Sequence, residues 1–165
     1  MAQKIKTIIK SNKKIENVVV NLLSKIVIPL ILMFGFYIQF HGEVSPGGGF
    51  QSGIIFAVAF MMRDMLMSVQ NSEDATAALN RLIPNWLALQ FAAGGALIYG
   101  TTGVLCILLG YSLFDYEAFA STILLGGQIG LTAIEIGVCC TVFGAMMLIY
   151  NSFINEMLKR FYKHQ

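Results

Sequence analysis

Glu135 stands within a long apolar run, Gly130-Leu-Thr-Ala-Ile-Glu135-Ile-Gly-Val138, and a carboxylate in such surroundings can carry protons or cations. Ionised and facing lipid at that depth, a carboxylate costs roughly 2.5–3.5 kcal/mol on insertion scales. Glu135 is therefore expected to be protonated, hydrogen-bonded inward, or turned toward water. It is the first candidate for an ion or proton pathway; the plainer alternative is a structural hydrogen bond to a neighbouring helix. No lysine or arginine of the chain matches its depth, so a cationic partner would come from another subunit. His41 and Glu43 are the other pathway candidates. They lie at the mouth of an apolar span, where ionisation is cheap, and there too a plain interfacial role competes.

Those two residues adjoin a glycine run, His41-Gly-Glu43-Val-Ser45-Pro46-Gly47-Gly48-Gly49-Phe50-Gln-Ser-Gly53. A phosphate-binding loop would need G-x-x-x-x-G-K-[ST] after a strand, with its lysine reaching the phosphates. This run has no lysine. Ser45 suits a helix N-cap and Pro46 the first helical position. Gly49, Gly53 and Ala57 then recur every four residues, a small-residue stripe that lets a second helix approach closely. The run, with Ser45, Pro46, Gly47, Gly48, Gly49, Phe50 and Gly53, reads as a motif turn and a packed helix start. A partly unwound start whose backbone lines a wet cavity is the functional alternative. Similar stripes are expected at Ala92, Ala96 and Gly100 and at Gly137, Thr141 and Ala145. That many small faces suggests packing against other membrane subunits.

Other chemistries are absent from the sequence. It has no nucleophile elbow, HExxH, haem-binding pattern or paired carboxylates on one helix face, so no catalytic residue, cofactor or metal is expected and the chain is not read as an enzyme. The three cysteines lie in apolar runs without CxxC or a histidine partner, as buried small hydrophobes do. The basic residues are dispersed and form no nucleic-acid patch. Arg63-Asp64 is read as an interfacial anchor, and Gln90 and Gln128 as polar groups able to bond across helices.

The elements that must position these residues are membrane spans. The chain is 56% hydrophobic and only 12% charged, against about 25% charged in an ordinary soluble domain. Four apolar segments reach spanning length, about 20 residues: Leu22 to Phe40, Pro46 to Met62, Trp86 to Leu109, and Ser121 to Ile149. The last exceeds what a bilayer needs, so it must tilt, protrude, or break near Gly126, Gly127 or Gly130. Lysine and arginine flank one side only. Lys4, Lys6, Lys10, Lys13, Lys14 and Lys25 precede or enter the first span, Arg63 and Arg81 bracket the second link, and Lys159, Arg160 and Lys163 follow the fourth span. The positive-inside rule then puts both termini in the cytoplasm. The fold expected is an all-α integral membrane protein with four transmembrane helices. Residues 1–21 form a cytoplasmic or interfacial segment, 22–150 one transmembrane domain, and 151–165 a basic cytoplasmic tail. Ile15, Val18, Val19, Leu22 and Ile26 fall at helical spacing, consistent with an amphipathic helix lying on the bilayer.

The stretch Gly42-Glu-Val-Ser-Pro-Gly-Gly-Gly-Phe-Gln-Ser-Gly53, with Glu135-Ile-Gly-Val, Thr141-Val and Gly144, resembles the MnhB/MrpB family. These are the B subunits of Mrp-type multisubunit sodium/proton antiporters, and the resemblance covers roughly residues 22 to 155. The family form carries a His-Asn pair where this chain has Glu43-Val44, which leaves Glu43, or His41 just before it, as substitutes. The resemblance implies a small, non-catalytic subunit of the bacterial inner (plasma) membrane. It would assemble with other antiporter membrane subunits in the lipid bilayer, within a complex that exchanges Na+ and H+. It would contribute to the ion or proton path or to subunit packing. The alternatives are a pure scaffold and an antiporter-like subunit of a membrane-bound hydrogenase or oxidoreductase complex.

Overall fold

The computed structural model describes residues 22, 24–42, 47–70, 82–115 and 123–163. Among them there are four helices and no strand: α1 (Ser24–Phe40), α2 (Gly49–Gln70), α3 (Asn85–Leu108) and α4 (Ile123–Lys163). An apolar chain in lipid has to satisfy its backbone internally, which helices do. Three stretches are long and apolar enough to cross a membrane: Gly49–Met67, Asn85–Leu108 and Gly127–Arg160; α1 is a shorter apolar helix. Most of the expected amphipathic segment lies outside the described residues; Leu22 and Ile26, at its end, are exposed.

Two helix ends differ from expectation. α2 continues past Met62 to Gln70, because Arg63 and Asp64 are compatible with a helix that leaves the apolar layer. α4 does not break at its glycines; it is one helix of 41 residues. At 1.5 Å per residue it is about 62 Å long, twice the roughly 30 Å hydrocarbon core, so the excess length is taken up by tilt or protrusion. α3 stops sharply. Gly110 adopts φ +87°, its N–H donates to Ile107 O at 3.0 Å, and Tyr111 N–H donates to Cys106 O at 3.0 Å. That is a Schellman cap, which a residue with a side chain would strain.

α4 is the central helix, packed against both α2 and α3. Gly49 and Gly53 of α2 face Glu135 and Cys139 of α4, so α2 and α4 run parallel. Gly95 faces Gly137 and Thr141, while Gly144 faces Ala88 and Ala92, so α3 runs antiparallel to α4. α1 lies on α2, where a Cβ at Gly35 would meet the Phe56 ring at 2.6 Å and Phe36 stacks at a tilt on Phe56, 4.9 Å between centroids. The small-residue contact on α3 is therefore Ala88, Ala92 and Gly95, not the expected Ala92, Ala96 and Gly100. Ala96 and Gly100 are exposed, and a Cβ at Gly100 meets nothing within 4 Å. On α4 the contact is Gly137, Thr141 and Gly144 rather than Ala145, following the i, i+4, i+7 face of a helix.

Below these glycine contacts sits the apolar core of Ala57, Ile83, Ala88, Phe143 and Met147. Phe143 receives two edge-on rings, Phe60 at 5.4 Å and Phe91 at 5.2 Å. Only about a quarter of the most apolar stretch of each span is buried within the chain (28%, 22% and 28%), so most of their apolar surface must meet lipid or other protein.

Candidate functional site

The glycine run is a turn before it is a helix. Gly48 has φ +107°, a conformation that L side chains rarely adopt, so α2 begins at Gly49 rather than at Ser45–Pro46. Ser45 and Pro46 themselves lie outside the described residues, as does Glu43. Gly48 N–H donates to Ile38 O of α1 at 3.3 Å, and Ser52 N–H donates to Gly48 O at 3.1 Å to open α2.

Glu135 is received by this turn. A Cβ at Gly42 would lie 2.7 Å from Glu135 Oε1, and one at Gly48 would lie 3.3 Å from it. A Cβ at Gly49 would land on the Glu135 carbonyl oxygen. Three glycines thus leave room for one glutamate, its carboxyl against the turn and its backbone against the first turn of α2. Glu135 is half-buried, seated on irregular backbone enclosed by protein. Membranes tolerate such backbone where it is buried in protein or lines a wet cavity.

The remaining sequence candidates are distributed around this contact. His41 is exposed; its ring stacks on Tyr37 with 4.3 Å between centroids, and its Nδ1 is 3.1 Å from Tyr37 O. It directly follows α1, one residue before Gly42. Phe50 is 59% exposed and points away from the bundle, while Gly53 is buried against Cys139 and Val142. Gln90 and Gln128 are exposed and make no cross-helix bond among the described residues.

Sequence reasoning missed two polar features. Gln39 and Ser52 are 6% and 0% exposed; the Ser52 hydroxyl is hydrogen-bonded to the Gln39 side-chain amide and lies 3.0 Å from Gly49 O. A single glutamine within an apolar span was the signal. The second feature is at the opposite end of the bundle, where Arg63-Asp64 is more than an anchor. Asp64 is 7% exposed, its Oδ1 accepts from Leu82 N–H at 3.5 Å and lies 3.7 Å from Arg63 Nη1. Beside it, fully buried Asn151 of α4 donates to Ile83 O at 3.0 Å. These side chains tie the start of α3 to α2 and α4. Between the two polar ends lies an apolar cavity of about 400 Å³, lined by Phe36, Phe56, Phe60, Phe91, Phe143 and neighbouring apolar side chains.

The family model described as a domain related to the MnhB subunit of Na+/H+ antiporter matches residues 19–148. A relative from Staphylococcus haemolyticus (strain JCSC1435), named as the antiporter subunit mnhB2, is 34% identical over 140 residues, covering 82% of this chain and 93% of its own. The chain belongs to the MnhB family. A second mnhB2 relative, from Staphylococcus aureus (strain MRSA252), is 29% identical over 139 residues with the same coverage, 82% and 93%. No solved structure matches the chain. MnhB membership and the apolar helices make it a multi-pass protein of the bacterial plasma membrane.

Proposed function

We propose that this MnhB-family chain is a non-catalytic subunit of a multisubunit Na+/H+ antiporter, and that Glu135 in its glycine turn is an ion- or proton-handling group of the assembly. The observation that carries the reading is the seat of Glu135: a carboxyl of a long apolar helix held on non-helical backbone at Gly42 and Gly48, where α2 begins. Intramembrane carboxyls in protein interiors mark ion and proton routes. The names borne by the mnhB2 relatives point to the same process.

α1 completes four spans, with the glycine turn on the outer side and both termini in the cytoplasm. The helix directions and the lysine and arginine distribution support that orientation. A role shared with other subunits follows from the apolar layer around Phe60, Phe143 and Met147, which separates Glu135 from Asp64 and Asn151. One chain with such a layer supplies part of a route, and its largely unburied spans offer surface to neighbours.

The reading is tested by deleting the gene and restoring it with a tagged chain. Deletion is expected to abolish sodium-driven proton movement in everted membrane vesicles. The tagged chain is expected to restore it and to co-purify with other multi-span subunits. Unchanged exchange after deletion, or recovery with hydrogenase subunits instead, would refute it.

A further inference from the structure

The Gln39–Ser52 pair lies one helical turn deeper than Glu135. Ser52 lies in the first turn of α2, which starts at Gly49 beside Glu135, and a Cβ at the neighbouring Gly53 would meet O of Cys139, one turn after Glu135 on α4, at 2.7 Å. Gln39 comes from α1, directly after Ile38, whose carbonyl holds Gly48. The pair and the glutamate therefore flank the same short backbone, Gly48–Gly49, from two sides.

The hydrogen-bond inventory of the pair does not close. Ser52 has one hydroxyl hydrogen, with Gly49 O at 3.0 Å and the Gln39 amide oxygen both positioned to accept it; the Cys139 thiol is a third side-chain partner of the hydroxyl and does not reach the amide. If Ser52 donates to Gln39 Oε1, Gln39 Nε2 is a buried donor with no partner among the described residues. If instead Ser52 donates to Gly49 O, the amide turns to donate to Ser52, and Oε1 is the unmatched end. Either orientation leaves one amide end unmatched at 6% exposure, a state that native interiors avoid. Water answers both cases, because it donates and accepts; a cation answers only the second.

We infer that Gln39 and Ser52 hold an ordered water beside the Glu135 turn, making them positioning residues of a proton-loading site rather than ligands of a sodium ion. This rests on the reading of Glu135 as an ion- or proton-handling group. The water gives a proton leaving or reaching Glu135 a hydrogen-bonded step in an otherwise apolar region, where Phe36 and Phe56 begin the apolar cavity.

The test uses the assembled complex in vesicles carrying Gln39→Met or Ser52→Ala. The expected result is exchange reduced about tenfold, a loss of roughly one hydrogen bond's free energy. Sodium half-saturation is expected to be unchanged, and the rate difference between H2O and D2O altered. A raised sodium half-saturation with the saturated rate preserved would make the pair a cation site and overturn the inference. So would wild-type exchange, or failure of both variants to assemble, which would make the pair structural. If Glu135→Gln abolishes exchange while Gln39→Met leaves it intact, only this inference falls; if Glu135→Gln itself is silent, the reading beneath it falls too.

Discussion

Glu135→Gln is expected to lower sodium-driven proton exchange roughly a hundredfold, the lower range for loss of a positioned proton-transfer group, while the complex assembles in normal amount. The substitution keeps the size and hydrogen-bonding capacity of the side chain and removes its ability to carry a charge. The space between Gly42 and Gly48 accepts either side chain, so a packing explanation predicts little change. Assembly is read from the recovery of partner subunits with a tagged chain, and exchange from vesicle acidification. A variant that assembles and exchanges normally would leave Glu135 a structural residue.

Gly49→Leu is expected to remove the subunit from the membrane assembly altogether. The first atom of any side chain at position 49 would fall on the Glu135 carbonyl, and backbone cannot swing aside as a rotamer can. Overpacking in ordinary cores costs about 1–3 kcal/mol, and a backbone collision belongs above that range. Against a total stability of about 5–15 kcal/mol, with two helices forced apart at their closest point, the folded bundle does not survive. Gly100→Leu is the matched control. Nothing lies within 4 Å of its Cβ direction, so within this chain its cost is expected to stay within about 0.5 kcal/mol. Immunodetection of each variant in membranes, with thermal unfolding in detergent for those that accumulate, measures both.

The helices were legible because lipid imposes length and polarity directly: a segment crosses as an apolar helix or not at all. Glu135 was legible for the same reason, as the conspicuous charge in its run. What the sequence could not resolve was which face of each helix meets which neighbour. α3 carries Ala92, Ala93, Gly94, Gly95 and Ala96 in succession, so small residues line more than one face and periodicity alone selects none. Contact with Gly137 and Gly144 of α4 selects Ala88, Ala92 and Gly95. The start of α2 escaped for a different reason. Gly48 at φ +107° is fixed by distant partners, Ile38 on one side and Glu135 on the other, which no local sequence pattern encodes. Gln39 stood out as a single glutamine in an apolar span, but its pairing with Ser52 is visible only in their juxtaposition.

Whether Glu135 is a working carboxyl of the membrane assembly shows in its own reactivity. A hydrophobic carbodiimide added to the intact complex in vesicles modifies protonated carboxyls reached from within the membrane, and mass spectrometry of the isolated chain locates the adduct. Labelling of Glu135 is expected to decline as the pH rises and to inhibit exchange in proportion. Labelling of Glu135 that leaves exchange untouched, or a Glu135 unreactive at every pH, would contradict it.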